Sequence, residues 1–139
     1  MMLAGLAILV LDDDADALEL FAGTLRRMGA DVRAASTAEG ALATARTWRP
    51  DAVLCDLHLP SVDGYAFLAQ LRAIEGRRFV PVIAVSASHP GVERDKALAA
   101  GFADYLAKPA RVSDVVAALT RAIAGSSEPQ LAATSAQST

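Results

Sequence analysis

The sequence predicts an α/β protein built on a parallel sheet with helices on both faces. Two observations carry this expectation. Strand-like and helix-like segments alternate five times along the chain. The strand-like segments are continuous apolar runs, the pattern of strands buried on both faces, not of strands with one wet side. The size agrees, since 139 residues with 53% apolar side chains suffice for one domain and leave some residues to spare.

Each element has a local reason. Ala7 to Leu11 reads as the first strand and runs straight into Asp12-Asp13-Asp14-Ala15-Asp16. Leu18, Phe21, Ala22 and Leu25 recur at helical spacing, with Gly29 as the stop. Val32 to Ala35 is a short second strand, and Ser36-Thr37-Ala38-Glu39 reads as a capping box that opens a helix to about Thr47. Pro50 closes that unit. Ala52 to Cys55 is the third strand and delivers Asp56 at its end, after which Pro60 and Gly64 break the chain into a loop. Phe67, Leu68, Leu71 and Ile74 mark a third helix ended by Gly76. Val80 to Val85 forms a fourth strand followed by Ser86-Ala87-Ser88. A weaker helix spans Val92 to Ala100 and stops at Gly101. Ala103 to Leu106 is the fifth strand, then come Lys108-Pro109 and a fifth helix from Val112 to Ala124. Residues 125–139 lack periodicity and read as a flexible polar tail or linker after a 1–124 domain.

Composition narrows the function. No apolar run approaches membrane-spanning length, and no basic segment precedes the apolar N-terminus as a signal peptide requires. A single cysteine, Cys55, forms no internal disulfide, which points to the cytoplasm and to a packing role in a buried strand. A net charge of −3 with scattered arginines offers no basic field for nucleic acid. No direct contact with nucleic acid or membrane is expected.

The strand ends carry the chemistry. In a parallel sheet Asp12, Asp13, Asp56, Ser86 and Lys108 all fall at one edge, where open α/β sheets bind their ligands. Helix N-terminal decoration accounts for Asp14 and Asp16 but poorly for Asp12 and Asp13, which precede the helix. Three carboxylates with room for water suit Mg²⁺, a hard cation with octahedral oxygen coordination, or Mn²⁺. A lysine and a hydroxyl beside them suit a phosphoryl group. One carboxylate can then serve as nucleophile and form an aspartyl phosphate, and Asp56, alone at the end of a central strand, is best placed.

Taken in order, Asp12-Asp13, Asp56-Leu57-x-x-Pro60-x-x-Asp63-Gly64, Ser86-Ala87 and Lys108-Pro109 resemble the receiver domains of two-component response regulators, from about Leu6 to Ala124. The resemblance implies a flavodoxin-like doubly wound sheet of strand order 2-1-3-4-5. It implies Asp56 as phosphoacceptor, Asp13 as direct metal ligand, Asp12 as a ligand mainly through water, and the His58 backbone carbonyl as a further ligand. Lys108 and the Ala87 backbone N–H would contact the phosphoryl group, Ser86 would be the switching hydroxyl, and Tyr105 the aromatic that turns from exposed to buried. His58 and Ser88 occupy positions that tune phosphoryl lifetime. The implied partners are a histidine kinase or histidine phosphotransfer protein, and a downstream protein or second copy at the surface of the fourth helix, fifth strand and fifth helix. Ser86 stands where threonine is commoner and Leu59 where methionine is frequent, both small departures. The stretch from Ala97 to Pro109 also resembles receivers of hybrid histidine kinases, so a stand-alone receiver and part of a larger regulator both remain open.

Three rivals fit less well. A haloacid-dehalogenase-type phosphatase also opens with a strand and Asp-x-Asp, but Ala15-Asp16 departs from its pattern and the chain is short for a cap plus core. A degenerate receiver acting only as a binding module would lack an acid or the lysine, and none is missing. An EF-hand loop needs a glycine where Ala17 stands. The expectation is therefore a signalling phosphoacceptor, not an enzyme with external turnover.

Overall fold

A computed structural model of the chain describes residues 2–60, 62–87 and 90–125. The chain runs β1 (Ala7–Leu11), α1 (Ala15–Arg27), β2 (Asp31–Ala35), α2 (Ala38–Thr47), β3 (Ala52–Asp56), α3 (Gly64–Ala73), β4 (Val82–Ser86), α4 (Pro90–Ala100), β5 (Asp104–Ala107) and α5 (Val112–Gly125). The five strands are all parallel in the order β2-β1-β3-β4-β5. Ser88, His89 and the expected tail beyond Gly125 lie outside the described residues.

Strand periodicity sorts the core into two layers, because successive side chains point to opposite faces. Leu9, Leu11, Val53, Cys55, Val82 and Ala84 face a layer completed by Leu42 of α2 and Phe67 and Leu71 of α3. Ile8, Val10, Leu54, Ile83 and Val85 face Phe21 and Leu25 of α1 and Val115 and Leu119 of α5. The continuous apolar runs in the sequence are the consequence of both faces being covered.

Boundaries moved by a residue or two, each for a local reason. The N-cap of α2 is Thr37, not Ser36, and its hydroxyl accepts the Gly40 N–H at 3.0 Å. β4 starts at Val82 instead of Val80. The Val80 N–H is drawn into a turn with the Arg77 carbonyl at 3.3 Å, and Pro81 has no N–H to give a ladder. The helix stops at Gly29 and Gly101 hold as expected, with φ of 99° and 112° that other residues adopt only with strain. Trp48 caps the C-terminus of α2 and packs against the core, with the Arg33 guanidinium 4.7 Å from its ring centre.

The strand order creates the crevice. From β1 the chain crosses outward to β2, then returns past β1 to β3, so the loops leaving β1 and β3 diverge at the carboxyl edge. Phe67 anchors α3 beneath that edge and is fully buried. Phe67→Ala should lower stability by about 3–5 kcal/mol through lost burial and a cavity. Urea denaturation checks this as a lower midpoint at unchanged slope.

Candidate functional site

Backbone ladders reach past the strand ends and hold the polar residues on rigid supports. Leu11 lies opposite Cys55 in the sheet, which sets Asp12 and Asp56, the next residues, side by side. The Asp12 N–H donates to Ala35 O at 3.2 Å, Leu57 N–H to Val85 O at 3.0 Å, and Lys108 N–H to Ser86 O at 2.8 Å. Sites carried by strand ends in this way are better positioned than sites on free loops.

The loop that follows Asp56 folds tightly over its own start. Gly64 N–H donates to Leu57 O at 2.9 Å. A Cβ at Gly64 would stand 2.8 Å from the Leu57 Cα and 3.1 Å from the Asp56 carbonyl oxygen, so only glycine permits this approach. Asp63 then caps α3 by accepting the Ala66 N–H at 2.9 Å. Asp14 does the same for α1, accepting from Asp16 and Ala17. Asp14 and Asp16 thus belong to the start of the helix, while Asp12 and Asp13 lie beside Asp56 at the crevice.

Carboxylate oxygens of Asp12, Asp13 and Asp56 lie within 4.8 Å of one another. Asp12 and Asp56 are buried, while Asp13 is exposed at the mouth. The Lys108 ammonium bridges the buried pair, 3.3 Å from Asp12 Oδ2 and 3.2 Å from Asp56 Oδ2. The His58 N–H donates to Asp56 Oδ1 at 3.0 Å. Burial raises the pKa of Asp56 and Asp12 adds to the rise, against the pull of the His58 N–H and Lys108. Burial alone would depress the Lys108 ammonium, but Asp56 and Asp12 outweigh it and hold its pKa above the ordinary lysine value. The buried Cys55 thiol, pushed up by burial and by the charge on Asp56, stays protonated and donates to the Asp56 carbonyl at 3.3 Å.

The oxygen set fits a small hard cation. Octahedral Mg²⁺ at about 2.1 Å from its ligands spans about 4.2 Å between opposite oxygens, close to the spread of the three carboxylates. All three donors are the oxygens that Mg²⁺ and Mn²⁺ prefer, and an ammonium already occupies part of this negative field.

A family model for the response regulator receiver domain matches residues 8–120. The chain belongs to the response-regulator receiver family. The family's role is that of the phosphoacceptor in two-component signalling. Among relatives of this receiver, the transcriptional regulatory protein PrrA of Mycobacterium tuberculosis is 38% identical over 110 residues, 79% of this chain and 46% of that protein. The DNA-binding response regulator MtrA of Mycobacterium leprae is 37% identical over 79% of this chain and 48% of its own length. The receiver thus spans about half the length of these curated relatives. The receiver domain of sensor histidine kinase PA1611 from Pseudomonas aeruginosa, solved with a magnesium ion coordinated in its active-site cleft, superposes with a TM-score of 0.79 at 35% identity, covering 88% of this chain and all of that one. A putative response regulator from Chloroflexus aurantiacus gives 0.80 at 31% identity, covering 86% and 98%.

The expected site residues largely converge. Asp12, Asp13, Asp56 and Lys108 meet in the crevice. Ser86 is fully buried at the end of β4, opposite Ala107, and the exposed Ala87 follows it. The His58 side chain points out of the crevice, as alternation along the chain suggests, toward Glu93 of α4 at 3.4 Å. Tyr105 is 4% exposed and lies in the apolar layer that also holds Ala97 and Phe102, the buried one of the two positions expected of it. Sequence reasoning missed Tyr65 and Glu93, which meet between α3 and α4 at 2.5 Å. Neither belongs to a periodic or motif signal, so only their meeting in space reveals them. Among the described residues, no helix is long and apolar enough to cross a membrane.

The raised pKa of Asp56 has a consequence for stability. Its folded value lies above the unfolded one, so its contribution is fully present below the ordinary value of 3.8 and is lost as pH rises through the raised value. Asp56→Asn should therefore be more stable than wild type at neutral pH without divalent metal. The gain should vanish as pH falls below 3.8. Denaturation of both proteins across that range measures it.

Proposed function

We propose that Asp56 accepts the phosphoryl group, on the strength of one observation: Lys108 reaches it across a crevice walled by acids, 3.2 Å from Asp56 and 3.3 Å from Asp12. An Asp56 oxygen forms a P–O bond as the P–N bond to a donor imidazole breaks, and the displaced nitrogen takes up a proton. Lys108 pairs with a phosphoryl oxygen, and the Ala87 N–H and the Ser86 hydroxyl donate to others. Asp13, Asp56 and the His58 carbonyl would hold Mg²⁺ or Mn²⁺ directly, and Asp12 through water. When bound, the cation offsets the combined charge of the carboxylates and the phosphoryl oxygens.

The donor in this reading is a histidine kinase or histidine phosphotransfer protein. A pocket of about 280 Å³ lined by Leu20, Phe21, Lys108, Pro109 and Ala110 opens beside the lysine and offers apolar footing for it. The receiver promotes its own phosphorylation and dephosphorylation and turns over no external substrate.

Readout runs through Ser86 to Tyr105 and to the surface of α4, β5 and α5. Asp104 ties that surface together, 3.5 Å from Arg94 of α4 and 3.2 Å from Arg121 of α5, and Arg94 also donates to the Tyr105 carbonyl at 3.2 Å. These exposed pairs are weak, about 0.2–1 kcal/mol each, which suits a surface that must rearrange. The phosphorylated aspartate biases that surface only by contacts that differ between the two arrangements. A downstream protein or a second copy then binds there.

Intact-mass spectrometry with acetyl phosphate and Mg²⁺ should show one phosphoryl adduct per chain. The adduct should be absent without divalent cation and absent in Asp56→Asn. An undiminished adduct in Asp56→Asn would move the phosphoacceptor elsewhere.

A further inference from the structure

The loop that carries His58 is tied on its outer side to two helices. The His58 Nε2 lies 3.4 Å from Glu93 Oε1 in the first turn of α4. The other oxygen of Glu93 accepts the Tyr65 hydroxyl at 2.5 Å, at the start of α3. The Tyr65 ring is itself held, edge-on to Phe102 with centroids 5.5 Å apart and with the Lys96 ammonium 4.8 Å from its centre. Glu93 is buried, and burial and the bond to Glu93 push the Tyr65 hydroxyl pKa upward, so the phenol remains a donor. His58 is thus gripped at both ends, its backbone N–H on Asp56 at 3.0 Å and its ring on Glu93.

We propose that Glu93, aimed by Tyr65, is a positioning residue that holds His58 so that its carbonyl is preset for the metal. The inference rests on the reading of the crevice as a Mg²⁺ and phosphoryl site. A residue fixed at ring and amide has little freedom left to turn its carbonyl away, and partners that orient a ligand contribute to affinity without touching the ion. The same grip links the metal loop to the first turn of α4, a route separate from Ser86 and Tyr105.

The test is calorimetric titration of Mg²⁺ into the full chain, free of any phosphodonor. Glu93→Ala should weaken Mg²⁺ binding about two- to five-fold, the worth of one partly exposed polar contact. Tyr65→Phe, which deletes one oxygen and keeps the ring, should weaken it in the same direction by less and shift the His58 amide resonance. In a His58→Ala background, Glu93→Ala should add nothing. If Glu93→Ala weakened binding equally in both backgrounds, Glu93 would act through its charge alone and the inference would fail. Unchanged binding and an unmoved His58 amide in Tyr65→Phe would overturn it even if Glu93→Ala misfolded. Absence of both Mg²⁺ binding and the acetyl phosphate adduct in wild type would instead bring down the reading of the site, and the inference with it.

Discussion

Everything in this molecule bends around the crowding of three carboxylates at one sheet edge. Asp12 and Asp56 are buried side by side, so burial and like charge both work against an ionised Asp56 unless a cation offsets them. Lys108 supplies that cation from the far side of the sheet, 52 residues from Asp56 in sequence. Its pairing is therefore a tertiary contact that exists only when β3, β4 and β5 are assembled in register. The interaction that keeps the acids together is also the one a phosphoryl group would take over.

The fold can sustain this because β3 and β4, the strands behind it, are apolar up to their last residues. Both faces of β3 and β4 are covered, and every residue from Ala52 to Asp56 and from Val82 to Ser86 is buried. Such a platform leaves little slack, so in the proposed mechanism a charge change at the edge would be passed outward instead of being absorbed. Above the platform, the exposed Arg94–Asp104–Arg121 pairs tie α4, β5 and α5 weakly, whereas the His58–Glu93–Tyr65 set holds the loop after β3 through a buried carboxylate. A rigid sheet below and weak exposed ties at the α4–β5–α5 surface suit a switch.

Much of this was legible in the sequence, and the parts that were not share a cause. The buried strands were readable because apolar runs flanked by glycine and proline have one good explanation, and β1 falls at Ala7–Leu11 as expected. The crevice was readable because parallel topology forces all strand ends to one edge. Gly64 looked like a plain loop breaker, whereas the structure shows a close approach to Leu57 that no local pattern encodes. The shift of the α2 cap from Ser36 to Thr37 reflects two adjacent hydroxyls competing for one role, decided by where β2 ends. Tyr105 was expected to turn between an exposed and a buried position, and that it packs inward in the layer of Ala97 and Phe102 is a matter of volume and not of pattern. Glu93 and Tyr65 were invisible for the same reason, being neighbours across 28 positions.

The decisive question is where the Lys108 ammonium goes when the crevice is filled. A crystal structure of the protein with Mg²⁺ and beryllofluoride, a mimic of the phosphoryl group, is the most direct measurement. The account predicts that Lys108 leaves its position between Asp12 and Asp56 and pairs with a fluoride on Asp56, with the cation held among Asp13, Asp56 and the His58 carbonyl. A structure in which beryllofluoride is bound while Lys108 still bridges Asp12 and Asp56 would contradict it.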